Sequence, residues 1–306
     1  MTDRLRTVFI SNGQNGFRVL EEILLHHPRF SVEALFTSPA PSGAAPISGY
    51  QSFDCIAARH SLPLHKTWRL QSSASMRTLR DLQPDIVFCI GWSRLLGREL
   101  LTLPRLGVIG MHPTLLPEGR GRAPIPWALI KGLARSGVTL FYLDEGADTG
   151  DIIAQKEFPI LFEDDAATVY ERAARTMVGL ARENLPLLAG GTAPRVKQDD
   201  SRASTWPRRT PGDGRIGWSD TALSAYNFIR GLARPYPGAF TFCRGAKLFL
   251  WKSLIRDRES RNEPGVILEL NPAAGSFTAA CRRGALEIIA FDGIEFSELR
   301  EGDMLG

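Results

Sequence analysis

Along the first half of the chain, short apolar runs alternate with stretches in which apolar positions recur every three or four residues. Thr7-Val8-Phe9-Ile10 is a β-rich run, the turn Ser11-Asn12-Gly13-Gln14-Asn15-Gly16 follows it, and Phe17-Arg18-Val19-Leu20 to Leu25 has helical spacing. The same rhythm predicts a strand at Val32 to Phe36, a helix at Cys55 to His60, a buried strand at Asp85 to Ile90 and a helix at Leu95 to Leu101. Gly107-Val108-Ile109 reads as one more central strand, Val138 to Leu143 as a strong one, Asp144 to Asp151 as the loop after it, and about Ala166 to Leu188 as a long helix. Such alternation predicts parallel crossover units in a doubly wound, Rossmann-like α/β sheet. Ligands of these sheets sit beyond the carboxyl ends of the strands, near a topological switch point.

The texture changes at Gly190 to Gly214, which is polar and rich in Gly, Pro, Ser and Thr. Beyond it come a helix at Ala222 to Leu232, the turn Pro235-Tyr236-Pro237-Gly238, and short strands at Lys247 to Trp251, Gly265 to Leu268 and Leu286 to Ala290. These predict a smaller β-rich domain, an open OB-like barrel. The expected organisation is a catalytic domain over 1–192, a linker over 193–214 and the β-rich domain over 215–306, with no internal repeat.

At 306 residues, 43% hydrophobic and 23% charged, the chain has the composition of a globular protein with a sizeable core. No apolar run approaches the ~20 residues of a membrane span. Met1-Thr2-Asp3-Arg4-Leu5-Arg6 leads straight into a strand, so a cytoplasmic location is expected. Cys55, Cys89, Cys243 and Cys281 form no close pair and lack a histidine at ligand spacing, so they read as buried thiols and no metal is expected. The net charge of +4 is spread among interleaved acids and bases, which suits a polyanionic small molecule better than a long nucleic acid.

Chemistry concentrates between Gly110 and Asp151. Gly110-Met111-His112 would lie at the carboxyl end of a central strand, and Asp148 follows His112 by 36 residues (148 − 112) in a Gly-rich loop. A histidine with one nitrogen held by a carboxylate is an oriented general base or donor with a stabilised protonated form. The alternative is a structural turn histidine and a turn-forming aspartate.

Context separates the two. Leu115-Leu116-Pro117-Glu118-Gly119-Arg120-Gly121, Pro124-Ile125, Gly137-Val138-Thr139 and Asp148-Thr149-Gly150-Asp151 resemble, in order and spacing, the signature of the folate-dependent formyltransferases. The nearest branches are methionyl-tRNA formyltransferase and the nucleotide-sugar N-formyltransferases. The resemblance runs to about residue 190 and resumes at Asp213-Gly214-Arg215-Ile216-Gly217-Trp218. It implies direct attack of an amine on an acyl carbon, with no covalent enzyme intermediate. His112 matches the family histidine and Asp148 the family aspartate.

Gly110 departs from the pattern, standing where the family has asparagine. Loss of one such oxyanion donor typically costs about 10²–10³ in rate. A missing side chain beside the reacting carbonyl would also leave room for a methyl group, which favours acetyl-CoA over 10-formyltetrahydrofolate as donor. Some amino-sugar acetyltransferases share the fold. Trp92, Arg94, Gly110, Leu115, Arg120 and Arg122 are the expected donor-binding residues, with Arg98 a further basic neighbour; core packing for Trp92 and solvated surface for the arginines are the alternatives.

For the acceptor, Asn12 and Gly13 in the first turn, with Arg209, Arg215, Arg230 and Tyr236 further on, are candidates for holding a nucleotide-linked amino sugar. Turn geometry is the alternative for Asn12, Gly13 and Tyr236, and solvated surface for Arg209 and Arg215. The second domain lacks the basic stripe expected for tRNA, its signs alternating as in Arg256-Asp257-Arg258-Glu259. The reading is a sugar N-acyltransferase with small-molecule partners and a possible homodimer. Behind it stand the same reaction with formyl, then methionyl-tRNA formyltransferase, then transfer to a free amine such as a hydroxylated ornithine. A non-enzymatic ligand-binding homologue is the alternative of another class.

Overall fold

The central apolar runs become strands buried on both faces. In the computed structural model, which describes residues 4–41, 48–256 and 262–306, β1 (Leu5–Ile10) leads through α1 (Gln14–Glu22) to β2 (Phe30–Thr37). Then follow α2 (Asp54–Arg59), β3 (Leu64–Lys66), α3 (Ser73–Leu82), β4 (Ile86–Ile90), α4 (Arg98–Leu101) and β5 (Val108–His112). All five strands run parallel, in the order β3-β2-β1-β4-β5. Val8, Phe9, Ile10, Ile86, Val87 and Ile109 are fully buried, as continuous apolar runs of a covered parallel sheet must be. The chain turns from β1 first towards β2 and later towards β4, so the switch point lies between β1 and β4.

Beyond β5 two antiparallel strands extend the parallel part of the sheet. After β6 (Arg120–Gly121) and α5 (Pro124–Ile130), β7 (Arg135–Tyr142) pairs antiparallel with β5, and β8 (Ile152–Pro159) antiparallel with β7 at the sheet edge. An antiparallel return lets the short segment 143–151 join β7 to β8, whereas a parallel return would need a crossover of a dozen or more residues. Exposed Lys156 and Glu157 blunt the β8 edge. Cys55 lies exposed on α2, against the reading of four buried thiols. It occupies the solvent face of a short helix that buries Ile56 and Ala57.

Helix α6 (Ala166–Gly190) is followed by β9 (Thr205–Trp206), α7 (Ala222–Leu232), β10 (Ala239–Cys243), β11 (Ala246–Arg256), β12 (Ile267–Asn271), β13 (Ser276–Ala280) and β14 (Ala285–Asp292). The last five strands form one antiparallel sheet, ordered β10-β11-β14-β13-β12. Its two edge strands are capped by the C-terminal residues: Leu305 bridges to Cys243 and Met304 to Val266, which occupies otherwise open backbone groups. Asp257 to Glu259 of the alternating-charge stretch lie outside the described residues.

The contacts group the chain into two compact units: Met1–Gly121, Arg135–Pro159 and Glu171–Trp206 in one, Arg122–Ala134, Ile160–Tyr170 and Pro207–Gly306 in the other. The second unit is thus not a simple C-terminal segment. Helix α5 belongs to it because α7 packs there with Gly231 close against Leu129 and Ile130. Trp218, Ile229, Leu248, Leu250, Phe277 and Ile288 fill its core.

Candidate active site

His112 is the last residue of β5, and the strand's period of two puts its side chain on the same face as Gly110. The loop after it is tied down by Thr139, its register partner on β7. The Thr139 hydroxyl donates to the Thr114 carbonyl at 2.7 Å and accepts from the Leu116 amide at 3.0 Å and from Gln155 Nε2 at 2.8 Å. Leu115, an expected donor contact, packs against Gly137 on β7. The chain then turns at Gly119 and Gly121, with φ of +72° and +103°. A Cβ at Gly119 would meet the Trp206 ring at 2.8 Å, and one at Gly121 the Trp206 carbonyl at 2.5 Å, so both positions need glycine on two counts.

These turns set the histidine. Nε2 of His112 lies 2.9 Å from the Gly119 carbonyl, which can only accept, so Nε2 carries a proton. Nδ1 is therefore the nitrogen whose protonation can change, and it faces the Asp148 carboxylate at 3.6 Å. Asp148 Oδ2 also accepts from the Gly121 amide at 2.8 Å. The His112 side chain is 9% exposed and the Asp148 side chain 21%, a partly desolvated pair in which charge interactions are stronger than in water. The sequence-predicted pair is thus brought together on one loop-and-strand framework.

Asp148 adopts the left-handed backbone region, φ +59°, which costs a non-glycine residue about 1–2 kcal/mol. Gln198 holds it there. Its Nε2 donates to the carbonyls of Asp148 at 2.9 Å and Gly150 at 2.8 Å, while its Oε1 accepts from Arg120 Nε at 3.0 Å and Nη2 at 2.8 Å. Arg120 also meets Asp200 at 2.7 Å. Its guanidinium, expected to meet the donor, instead braces the Asp148 loop from within the protein, and the residue is 8% exposed. Ser204 Oγ accepts from the Gly119 amide at 2.9 Å, and the Ser204 carbonyl from the Arg120 amide at 2.9 Å.

Part of the stretch read as a linker is thus built into the site. Gln198, Ser204 and Trp206 were missed because composition alone marks such a stretch as connection. An isolated Trp and a Gln among small polar residues were the available signal.

The space beside Gly110 is filled. A Cβ there would lie 2.5 Å from Leu143 Cδ2 and 3.1 Å from Leu143 Cγ, so the vacancy expected for an acyl methyl group does not exist. The argument for an acetyl donor loses its steric basis.

At the carboxyl end of β4, Trp92 is half-buried with its ring 6.3 Å from that of Trp68, and Arg94 lies 5.6 Å over Trp68. Trp68 was missed, although it follows a strand as Trp92 does. Asn12 is buried at the end of β1, and Gly13 caps α1 and bridges to Tyr50. Arg98 is exposed on α4.

The remaining expected residues belong to the second unit. Arg122 is exposed near α5. Arg230 is buried, donating to the carbonyls of Leu161, Phe162 and Asp164 and to Asn227 Oδ1, and burial pushes its pKa down. All these acceptors are protein atoms, so the guanidinium expected to meet the acceptor substrate is engaged within its own unit. Arg209 stacks on Trp127 at 4.8 Å and Phe228 at 5.3 Å. Arg215 is exposed beside Phe242, 5.6 Å from its ring. Tyr236 is half-buried in its turn, and desolvation pushes its phenol up.

A mostly parallel sheet thus carries an oriented histidine–aspartate pair at the end of a central strand, in a chain that also holds a separate antiparallel sheet. Residues 5–180 match the formyl transferase family and residues 208–293 the formyl transferase C-terminal domain, so the chain belongs to the formyltransferase family. Solved structures agree on the fold. An N-formyltransferase from Helicobacter canadensis, in complex with folinic acid and dTDP-3-aminofucose, superposes with a TM-score of 0.70 at 19% identity over 94% of this chain and 100% of that one. WlaRD, a sugar 3N-formyltransferase in the presence of dTDP and 5-N-formyl-THF, gives 0.67 at 16% over 94% and 97%. Methionyl-tRNA formyltransferase from Clostridium thermocellum gives 0.61 at 15% over 94% and 98%.

Proposed function

We propose that this enzyme transfers a formyl group from 10-formyltetrahydrofolate to the amine of a nucleotide-linked amino sugar. The observation that carries the reading is the His112–Asp148 pair: one imidazole nitrogen pinned to the Gly119 carbonyl, the other facing a carboxylate 3.6 Å away. Two of the similar proteins above are described with a nucleotide or nucleotide sugar and a folate, which supports this donor and acceptor class. The donor supplies, when bound, a formyl carbon on nitrogen that an amine can attack.

The residues at the carboxyl end of β4 fit such a donor. Trp68 and Trp92 offer half-buried aromatic faces for a flat heteroaromatic ring, and Arg94 adds a cation beside them. His112 then holds positive charge near the carbonyl oxygen once Nδ1 is protonated, stabilising developing negative charge there. Asp148 orients the imidazole, takes up the proton that the attacking amine sheds, and returns it to the donor nitrogen as the bond from that nitrogen to the formyl carbon breaks. Leu143 beside Gly110 keeps the adjoining face apolar, which strengthens these charge interactions.

The test is a panel of nucleotide-linked amino sugars offered with 10-formyltetrahydrofolate and, separately, with acetyl-CoA, the products being weighed. Formylated product from a nucleotide sugar is expected. Acetylated product alone, or formylation of methionyl-tRNA alone, would refute the assignment.

A further inference from the structure

We infer that Gly110 and Leu143 form a size-matched couple that seats the Asp148 loop over His112, and that Leu143 is a positioning residue for the reaction. The inference rests on the proposed chemistry for its kinetic consequence but on geometry for its cause. Gly110 shares a face of β5 with His112, and Phe141, its register partner on β7, lies alongside. The chain leaves β7 at Tyr142, and the next residue, Leu143, drops its side chain into the notch where position 110 has no Cβ. Its amide donates to the Val108 carbonyl at 2.8 Å, and its side chain packs on the cluster that contains Val8, Ile10, Cys89 and Val108.

From that anchor the loop runs out to Asp148 and returns to Asp151, whose carbonyl accepts from the Tyr142 amide at 2.9 Å. The loop is thus closed at its base by backbone pairing, held on one flank by Gln198 and on the other by Leu143 in the notch. Any side chain at position 110 must displace Leu143. Because Leu143 is only five residues before Asp148 (148 − 143), that displacement passes into the carboxylate's distance from Nδ1.

Glycine at 110 is therefore matched to leucine at 143, and restoring an amide at 110 alone damages the site. Relief comes from shortening residue 143. The reporter that needs no substrate is the Gly121 amide, which donates to Asp148 Oδ2 at 2.8 Å. Its resonance and exchange rate, read in protein labelled with heavy nitrogen at glycine, follow the position of the carboxylate.

Wild type, Gly110→Asn, Leu143→Ala and the double variant are compared. Gly110→Asn is expected to lower kcat by about tenfold to a hundredfold, the scale of a 1 Å misplacement, with KM for both substrates little changed. Its Gly121 amide should shift and exchange faster. Adding Leu143→Ala should return both the amide and most of kcat towards wild type, whereas Leu143→Ala alone lowers kcat. A Gly121 amide unmoved in Gly110→Asn, or a double variant no better than Gly110→Asn, overturns the inference. Should Gly110→Asn not fold, Leu143→Ala decides by itself: a loosened Gly121 amide supports the couple and an unchanged one overturns it. Failure of wild type to formylate any acceptor would sink the proposed function, while the amide comparison still judges the couple.

Discussion

Replacing Gln198 separates the bracing of the Asp148 loop from the stability of the fold. Gln198→Ala removes two hydrogen bonds to the carbonyls of Asp148 and Gly150, each contributing about 1 kcal/mol net. Those two bonds offset the roughly 1–2 kcal/mol that the left-handed backbone of Asp148 costs. Without them the competent loop position loses up to about 2 kcal/mol, so its population, and kcat with it, falls by about tenfold to thirtyfold. KM should hold, because among the described residues Gln198 bonds to the loop carbonyls and to Arg120.

The same change strips Arg120 of its Gln198 acceptor and leaves it only Asp200, whose side chain is 82% exposed. A poorly satisfied, nearly buried guanidinium costs about 1–3 kcal/mol, and each kcal/mol lowers Tm by about 2–4 °C in a unit of this size. Gln198→Glu keeps an acceptor for Arg120 but cannot donate to the two carbonyls. It should therefore lose kcat while retaining most of Tm. Steady-state formyl transfer and thermal unfolding of the two variants check this. If Gln198→Ala keeps kcat within about twofold of wild type, the bracing role is wrong.

His112→Ala should abolish transfer while leaving donor binding intact by titration calorimetry; a rate near wild type would remove the histidine from the mechanism. Arg230→Ala should destabilise the second unit by about 1–3 kcal/mol, because Asn227 and three backbone carbonyls lose a donor, with no change in KM among folded molecules. An unchanged Tm with a raised KM for the nucleotide sugar would point instead to a phosphate contact. Glu287 accepts from Ser276 and pairs with Arg256, which hold its carboxyl below the ordinary value of 4.5. A depressed carboxyl stabilises the fold above the unfolded value and loses that contribution as pH falls through the folded one. Below about pH 4.5, Tm of wild type should thus fall more steeply than that of Glu287→Gln, and parallel acid limbs would contradict the assignment.

Sequence alone determined much of this protein. Apolar runs without polar interruption specify strands covered on both faces, and β1, β4 and β5 formed where those runs lie. His112 and Asp148 were legible through the resemblance of the segments around them to the formyltransferase signature, since their spacing alone left a structural turn open. Spacing cannot say which neighbours a side chain will meet. Antiparallel β7 and β8, the occupation of the Gly110 notch by Leu143, the engagement of Arg120 and Arg230 with protein acceptors, and the recruitment of Gln198, Ser204 and Trp206 to the site all arise from contacts between residues far apart in the chain. Local pattern records what each residue prefers, whereas packing decides which distant partner fills its space and takes its hydrogen bonds; the tertiary structure therefore settled how the His112–Asp148 pair is held.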